Sequence, residues 1–197
     1  MANTNYFFVF EGIDGSGKTT LSKLVAENLK AQNRDVIWHR EPTDGLHGKK
    51  IRSFLSGRIS LTIKEQLELF ILDRTESVSQ IISPNIEKGA IIVQDRYYYS
   101  TAAYQAGKEI SAEEIIALNE KENFPKPKQV FFLDITPEEA RERRKNRGGS
   151  EEAFDDDHSQ NRIYENYMKI LPAGTIFLDA SHPLEDLVKA VMECIEI

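Results

Sequence analysis

Short apolar runs alternate along the chain with stretches whose apolar positions recur every three or four residues, the periods of strand and helix. Residues 6–10 (YFFVF) read as a buried strand, followed by a Gly-rich turn. A helix is predicted from about 18 to 32, where Leu21, Leu24, Val25 and Leu29 recur at helical spacing. Residues 35–39 form a second short strand that ends at Glu41-Pro42, where proline biases the preceding residue toward an extended turn. Residues 43–62 are polar, with a short helical piece around Ile51 and Leu55. A longer helix covers about 64–79, with Leu67, Phe70, Ile71 and Arg74 nearly in line. Gly89 stops the next helix before a third strand at 90–94, and 130–134 is a fourth. Thr136 is placed to cap a helix starting at Pro137. Residues 175–179 make a fifth strand and 183–193 a final amphipathic helix. Strands alternating with helices predict an α/β fold, a five-stranded parallel sheet with helices on both faces.

Composition narrows the class. The 197 residues suit one domain able to bury a core without disulfides, and no repeat or low-complexity tract divides them. Against 25 Lys and Arg stand 32 Asp and Glu, a net charge of −7, which argues against a nucleic-acid or membrane-surface binder. Any phosphate ligand must therefore meet a local positive site. The single Cys194 excludes an internal disulfide framework and suits a reducing, cytoplasmic setting. No apolar run is long enough to span a bilayer, and the first residues lack the features of a signal peptide. His39, His47, His158 and His182 are scattered without metal-ligand spacing.

Gly12-Ile13-Asp14-Gly15-Ser16-Gly17-Lys18-Thr19 fits G-x-x-x-x-G-K-[ST] in full, between a predicted strand and a helix. Glycines let the backbone wrap round phosphate oxygens, and the helix N-terminus adds converging N–H groups. Lys18 supplies a point charge for the β- and γ-phosphates of a nucleoside triphosphate, and Thr19, next to Thr20, a hydroxyl for Mg²⁺. Asp95, at the end of the third apolar run, is where a second Mg²⁺ partner is expected. Arg96 beside it puts a cation at a strand's carboxyl end, where ligand crevices form.

Three further blocks accompany this loop: Arg40-Glu41-Pro42, Phe70-Ile71-Leu72-Asp73-Arg74, and Asp95-Arg96-Tyr97 with Ser100, Ala103, Tyr104 and Gln105. Together with the run from Phe10 to Thr20 they resemble the thymidylate kinase family, P-loop nucleoside monophosphate kinases that phosphorylate dTMP with ATP. The resemblance runs from about Phe8 to the C-terminal helix. It implies a single kinase domain over 1–197 with a lid at about 141–157, and a homodimer through the long helices. It also implies that Arg40 and Arg96 hold the acceptor monophosphate and that Asp14 stands near the sugar 3′-hydroxyl and Mg²⁺. Phe70 would stack on thymine and Arg74 would donate to its O4. Ser100 and Thr101 would face the base edge, with Gln105 in the same block; Tyr104 would lie beneath the deoxyribose and Leu55 would line the same pocket.

Arg141, Arg143, Arg144 and Arg147 lie on the predicted helix after Thr136. Arg143, Arg144 and Arg147 can share a face, which suggests that an anion comes to them. One branch of the family carries an arginine in the P-loop, the other in the lid; Gly15 and the arginine-rich lid resemble the second. These three arginines, with Lys18, Asp14 and Arg96, form the expected catalytic set. The chain departs from the family's usual Glu-Pro-Gly-Gly-Thr by reading Glu41-Pro42-Thr43-Asp44-Gly45. It also lacks the usual glycine pair after Gln105. Two alternatives stay open here: a kinase for another nucleotide or a deoxynucleoside, and a P-loop switch without transfer chemistry. The second lacks an N-K-x-D guanine motif.

Overall fold

The computed structural model describes residues 6–147, 154 and 156–195. Strands β1 (Phe7–Glu11), β2 (Val36–Arg40), β3 (Ile91–Asp95), β4 (Gln129–Asp134) and β5 (Ile176–Asp179) alternate with helices. The helices are α1 (Lys18–Ala31), α2 (Leu46–Leu55), α3 (Ile63–Ser77), α4 (Ser83–Glu87), α5 (Tyr98–Gln105), α6 (Ala112–Lys121), α7 (Pro137–Arg147), α8 (Asp157–Ile170) and α9 (Leu184–Cys194). All pairings are parallel, in the order β2-β3-β1-β4-β5. The expected α/β sheet is therefore present. Its centre is dry: every residue of β1 and β3 is buried, as continuous apolar strands covered on both faces should be. Aromatic rings fill the layers beside it, with Phe10 stacked on Phe131 at 5.1 Å and Phe132 tilted against Tyr167 at 5.1 Å.

Each strand runs one residue or more past its last apolar position. Glu11, Arg40, Asp95, Asp134 and Asp179 are the closing residues of the five strands. Hydropathy ends the first three strands one residue early, whereas the hydrogen-bond ladder carries these charges to the sheet's carboxyl edge. Register then sets them side by side, Phe10 and Arg40 each opposite Asp95.

The expected 64–79 helix is α3, which continues through a π-helical segment, Val78–Ile82, into the helix stopped by Gly89. Thr136 caps α7 as expected, in a reciprocal box with Glu139. Helices α5, α6 and α8 are additions to the sequence reading. All eight residues of α5 are buried, so it has no polar face to give a period. A capping box, Ser111 with Glu114, does announce α6.

Candidate active site

The P-loop joins β1 to α1. Gly12 (φ 152°) and Gly15 (φ 93°) hold backbone angles that disfavour a side chain. A Cβ at Gly15 would stand 2.5 Å from the Ala140 carbonyl oxygen, so α7 packs directly on this turn. Helix α1 starts at Lys18 without a side-chain cap, leaving its first N–H groups to a ligand. Lys18 is 5% exposed; its Nζ donates to the Ile13 carbonyl at 3.2 Å and lies 3.5 Å from Asp14 Oδ1. Burial and the nearby Arg96 charge lower its pKa, against the pull of Asp14, Asp95 and Glu11.

A cleft of about 370 Å³ opens at the carboxyl edge of β1 and β3. It is lined by Asp14, Gly15, Gly17, Lys18, Thr19 and Thr20 of the P-loop and α1, and by Asp95 and Arg96 at the end of β3. Arg40, Leu55 and Phe70 also line it, and Ser100, Thr101, Tyr104 and Gln105 come from α5. Most of the expected site residues thus meet in one space. Gly12, Ile13 and Ser16 are not on the cleft surface: the Ile13 side chain is buried in the core, and Ser16 Oγ is buried without a partner among the described residues.

Thr19 Oγ1 donates to Asp95 Oδ2 at 2.5 Å, while Asp95 Oδ1 is buried and has no hydrogen-bond partner among the described residues. A hard divalent cation wants oxygen ligands, and a hydroxyl beside a half-satisfied carboxylate below a phosphate cradle fits Mg²⁺. The described residues contain no cluster of three or more acidic, histidine or cysteine ligands, so phosphate and water would complete the shell.

Asp14, Arg96 and Tyr104 form a tight triad. Arg96 Nη2 donates to Asp14 Oδ1, and at 3.1 Å to Tyr104 Oη, which donates to Asp14 Oδ2 at 2.8 Å. The Arg96 guanidinium lies 4.8 Å from the Tyr104 ring centroid. Burial opposes ionisation of Asp14, yet Arg96 and Lys18 hold its carboxyl well below the usual range. Burial pushes the Tyr104 hydroxyl up, so it stays a donor. Arg96 itself has φ 67°, an uncommon angle for a side-chain-bearing residue and a cost tolerated where function fixes it.

Two expectations change. Arg74 is 1% exposed and stands behind the cleft wall rather than on it. Its Nε and Nη2 meet Glu41 Oε2 at 2.9 and 2.7 Å, Nη1 donates to Asn119, and Nη2 also donates to Thr101 Oγ1. A buried guanidinium needs such partners, and they engage four of its five donors. Ser100 lines the cleft, but its hydroxyl donates to Glu11 and accepts from Arg96 Nη1 rather than facing a base. Gln105 also lines the cleft, and its amide oxygen is buried without a partner among the described residues.

In the loop after β2, Thr43 stands where the family usually has glycine and is tied to α3. Thr43 donates through its N–H to Asp73 Oδ2 at 2.9 Å and through Oγ1 to Asp73 Oδ1 at 2.6 Å. Arg52 donates to the Pro42 carbonyl and to Asp44, each at 2.9 Å, and lines the cleft. Glu41, Pro42, Arg52 and Phe154 are cleft residues that sequence reasoning missed. For Glu41 and Pro42 a signal existed, their adjacency to Arg40; Phe154, 5.8 Å from the Tyr104 ring, offered none.

Two of the arginines expected in a lid hold backbone carbonyls at and beside the P-loop. Arg143 donates to the Ser16 and Ala180 carbonyls at 3.4 and 2.7 Å, and Arg144 to the Asp14 carbonyl at 2.6 Å. Helix α7 reaches Arg147, whose side chain lies outside the described residues, as do residues 148–153 and 155 of the expected lid.

Comparison with known proteins shows the family. The thymidylate kinase family model matches residues 10–191. Thymidylate kinase of Leptospira borgpetersenii serovar Hardjo-bovis is 43% identical over 191 residues, covering 97% of this chain and 92% of the relative. That of Leptospira interrogans serovar copenhageni is 42% identical with the same coverage. A probable thymidylate kinase of Archaeoglobus fulgidus is 38% identical over 94% of this chain and 92% of its own.

Proposed function

The chain belongs to the thymidylate kinase family, and we propose that it transfers the γ-phosphoryl group of ATP to dTMP, giving dTDP and ADP. The observation that carries this reading is the gathering of the P-loop lysine and two arginines in one cleft. Lys18 and the α1 N-terminus, which suit a donor's phosphates, line it together with Arg40 and Arg96, which suit an acceptor's. A paired arginine site suits an acceptor that is already a phosphate, rather than a nucleoside. Such an acceptor oxygen is a competent nucleophile at neutral pH, so the protein's work is positioning and charge neutralisation.

In this reading Lys18 meets the β- and γ-phosphates, and the loop from Gly12 to Thr20 cradles them. Thr19 and Asp95 would hold Mg²⁺, which neutralises phosphate charge when bound. Arg40 and Arg96 grip the acceptor phosphate, Asp14 receives the sugar 3′-hydroxyl, and Tyr104 lies beneath the deoxyribose. Phe70 stacks on the base and Leu55 closes its side. Arg143 and Arg144 move from the carbonyls they hold to the transferring phosphoryl group and act there with Arg147, their planar donors always charged. The whole chain works as one kinase domain with its lid at about 141–157. It pairs as a homodimer through α3, where Leu72 is 48% exposed. A reducing cytoplasm suits the unpaired, exposed Cys194.

Base choice follows from Gln105 and Thr101. An unpartnered amide oxygen matches the N3–H of thymine or uracil and opposes the N3 lone pair of cytosine. Thr101 Oγ1 accepts from Arg74, so its own proton is available to a base oxygen. Loss of the 5-methyl group costs only apolar contact, about 10- to 200-fold. A coupled ATP-to-ADP assay over dTMP, dUMP, dCMP, dGMP, dAMP and thymidine tests the assignment. The expected kcat/KM order is dTMP, then dUMP, with dCMP last; equal values for thymidine or dCMP and dTMP overturn it.

A further inference from the structure

Glu11 closes β1 immediately before the P-loop and is fully buried. Its carboxylate accepts four hydrogen bonds. Oε1 takes the backbone N–H of Tyr97 at 2.8 Å and of Ser100 at 3.3 Å. Oε2 takes the Ser100 hydroxyl at 2.6 Å and the Tyr167 hydroxyl at 3.0 Å. These partners belong to the start of α5 and to α8, so one side chain ties the donor loop's strand to both. Burial pushes this carboxyl up, opposed by the Ser100 hydrogen bond and the Arg96 charge.

All four partners are donors, and this fixes the direction of the next bond. A serine hydroxyl has one proton and two lone pairs. Ser100 spends its proton on Glu11, so a lone pair faces Arg96 Nη1, which donates to it at 2.8 Å. Tyr167 lies 2.8 Å from the same oxygen. We propose that Glu11 is a positioning residue of the acceptor site, fixing the polarity of Ser100 and through it the orientation of the Arg96 guanidinium. The inference rests on the proposed role of Arg96 in holding the acceptor phosphate.

An amide in place of this carboxylate fails in either orientation. With its NH₂ on the backbone side, it opposes two N–H groups that cannot turn away. With its NH₂ on the hydroxyl side, one hydroxyl proton is surplus: it goes unpaired on Tyr167 or points from Ser100 at Arg96. The cost should appear in acceptor binding rather than at the ATP phosphates.

Steady-state kinetics of the full chain with dTMP and ATP test this, using Glu11→Gln, Ser100→Ala and the double variant. Glu11→Gln should raise KM for dTMP about tenfold while changing KM for ATP less than about twofold. Ser100→Ala should raise KM for dTMP about tenfold in the wild-type background and less than about twofold in Glu11→Gln, because the contact it removes is already lost. Equal costs of Ser100→Ala in both backgrounds, or parallel changes in both KM values, overturn the inference and leave Glu11 an ordinary structural carboxylate. If Glu11→Gln does not fold, Tyr167→Phe removes one donor without a cavity. It should raise KM for dTMP about twofold or more at unchanged ATP KM, and an unchanged dTMP KM overturns the inference. A wild-type chain that does not phosphorylate dTMP fails the functional reading and this inference with it. A wild type that does so beside unchanged variants fails only the inference.

Discussion

On the P-loop side of the cleft, the proposed donor side, the groups that would meet phosphate are backbone N–H groups and one lysine. They are held by glycine geometry and the start of α1. On the acceptor side, the wall is made of side chains held by other buried side chains: Arg74 on Glu41, Asn119 and Thr101, and Asp73 on Thr43. The first arrangement lets a substitution remove chemistry without disturbing the fold. The second makes the same kind of change a break in a buried ionic network. Site residues on the two sides should therefore respond differently to mutation, one in turnover and the other in stability.

The sharpest contrast begins with Lys18→Ala. It should lower kcat by about 10²- to 10³-fold, the scale of losing one strong stabiliser of developing charge. Thermal melting should move little, since among the described residues the Lys18 ammonium is held by just the Ile13 carbonyl and Asp14. Near-normal ADP production would remove the P-loop lysine from the chemistry.

Gly15→Ala probes a place where the donor loop depends on packing against α7. The added Cβ meets the Ala140 carbonyl, and the residue keeps a positive φ. A stability loss of about 1–3 kcal/mol is expected, together with a fall in kcat as α7 is pushed from the loop. Urea denaturation beside kinetics checks both; an unchanged midpoint would show that α7 yields freely.

A smaller effect concerns Asp14 and pH. Arg96 and Lys18 hold its folded pKa below the ordinary 3.8 despite burial. In that case the native state binds fewer protons than the unfolded one in the acid window, and stability falls as pH falls. The advantage of wild type over Asp14→Asn should be complete above about pH 4 and drain away below it. Urea midpoints of both proteins at pH 7 and pH 3 measure this; a gap that widens on acidification contradicts it.

The same contrast explains what could be read from sequence. The donor loop is contiguous, so eight residues carry its whole geometry, and the strand before it and helix after it follow from apolar spacing. The acceptor wall is assembled across distance: Arg74 lies 33 residues from Glu41 and 45 from Asn119. Nothing local distinguishes a buried Arg74 from one facing a ligand. Glu11, read as lying just past a strand, is its fully buried last residue, paired with Phe132 of β4, and its four donors come from the distant Tyr97, Ser100 and Tyr167. Helix α5 was hidden for a related reason: enclosed on all sides, it has no polar face.

The buried pair of Arg74 and Glu41 offers the most direct test, by equilibrium urea denaturation of Arg74→Met, Glu41→Leu and the double variant. Each single change strands a charge in the interior and should cost about 3–5 kcal/mol, whereas removing both should cost much less than the two together. A coupling of at least about 2 kcal/mol is the predicted result. Single-variant costs within about 0.5 kcal/mol of zero, or strictly additive ones, would contradict an acceptor wall held by this network.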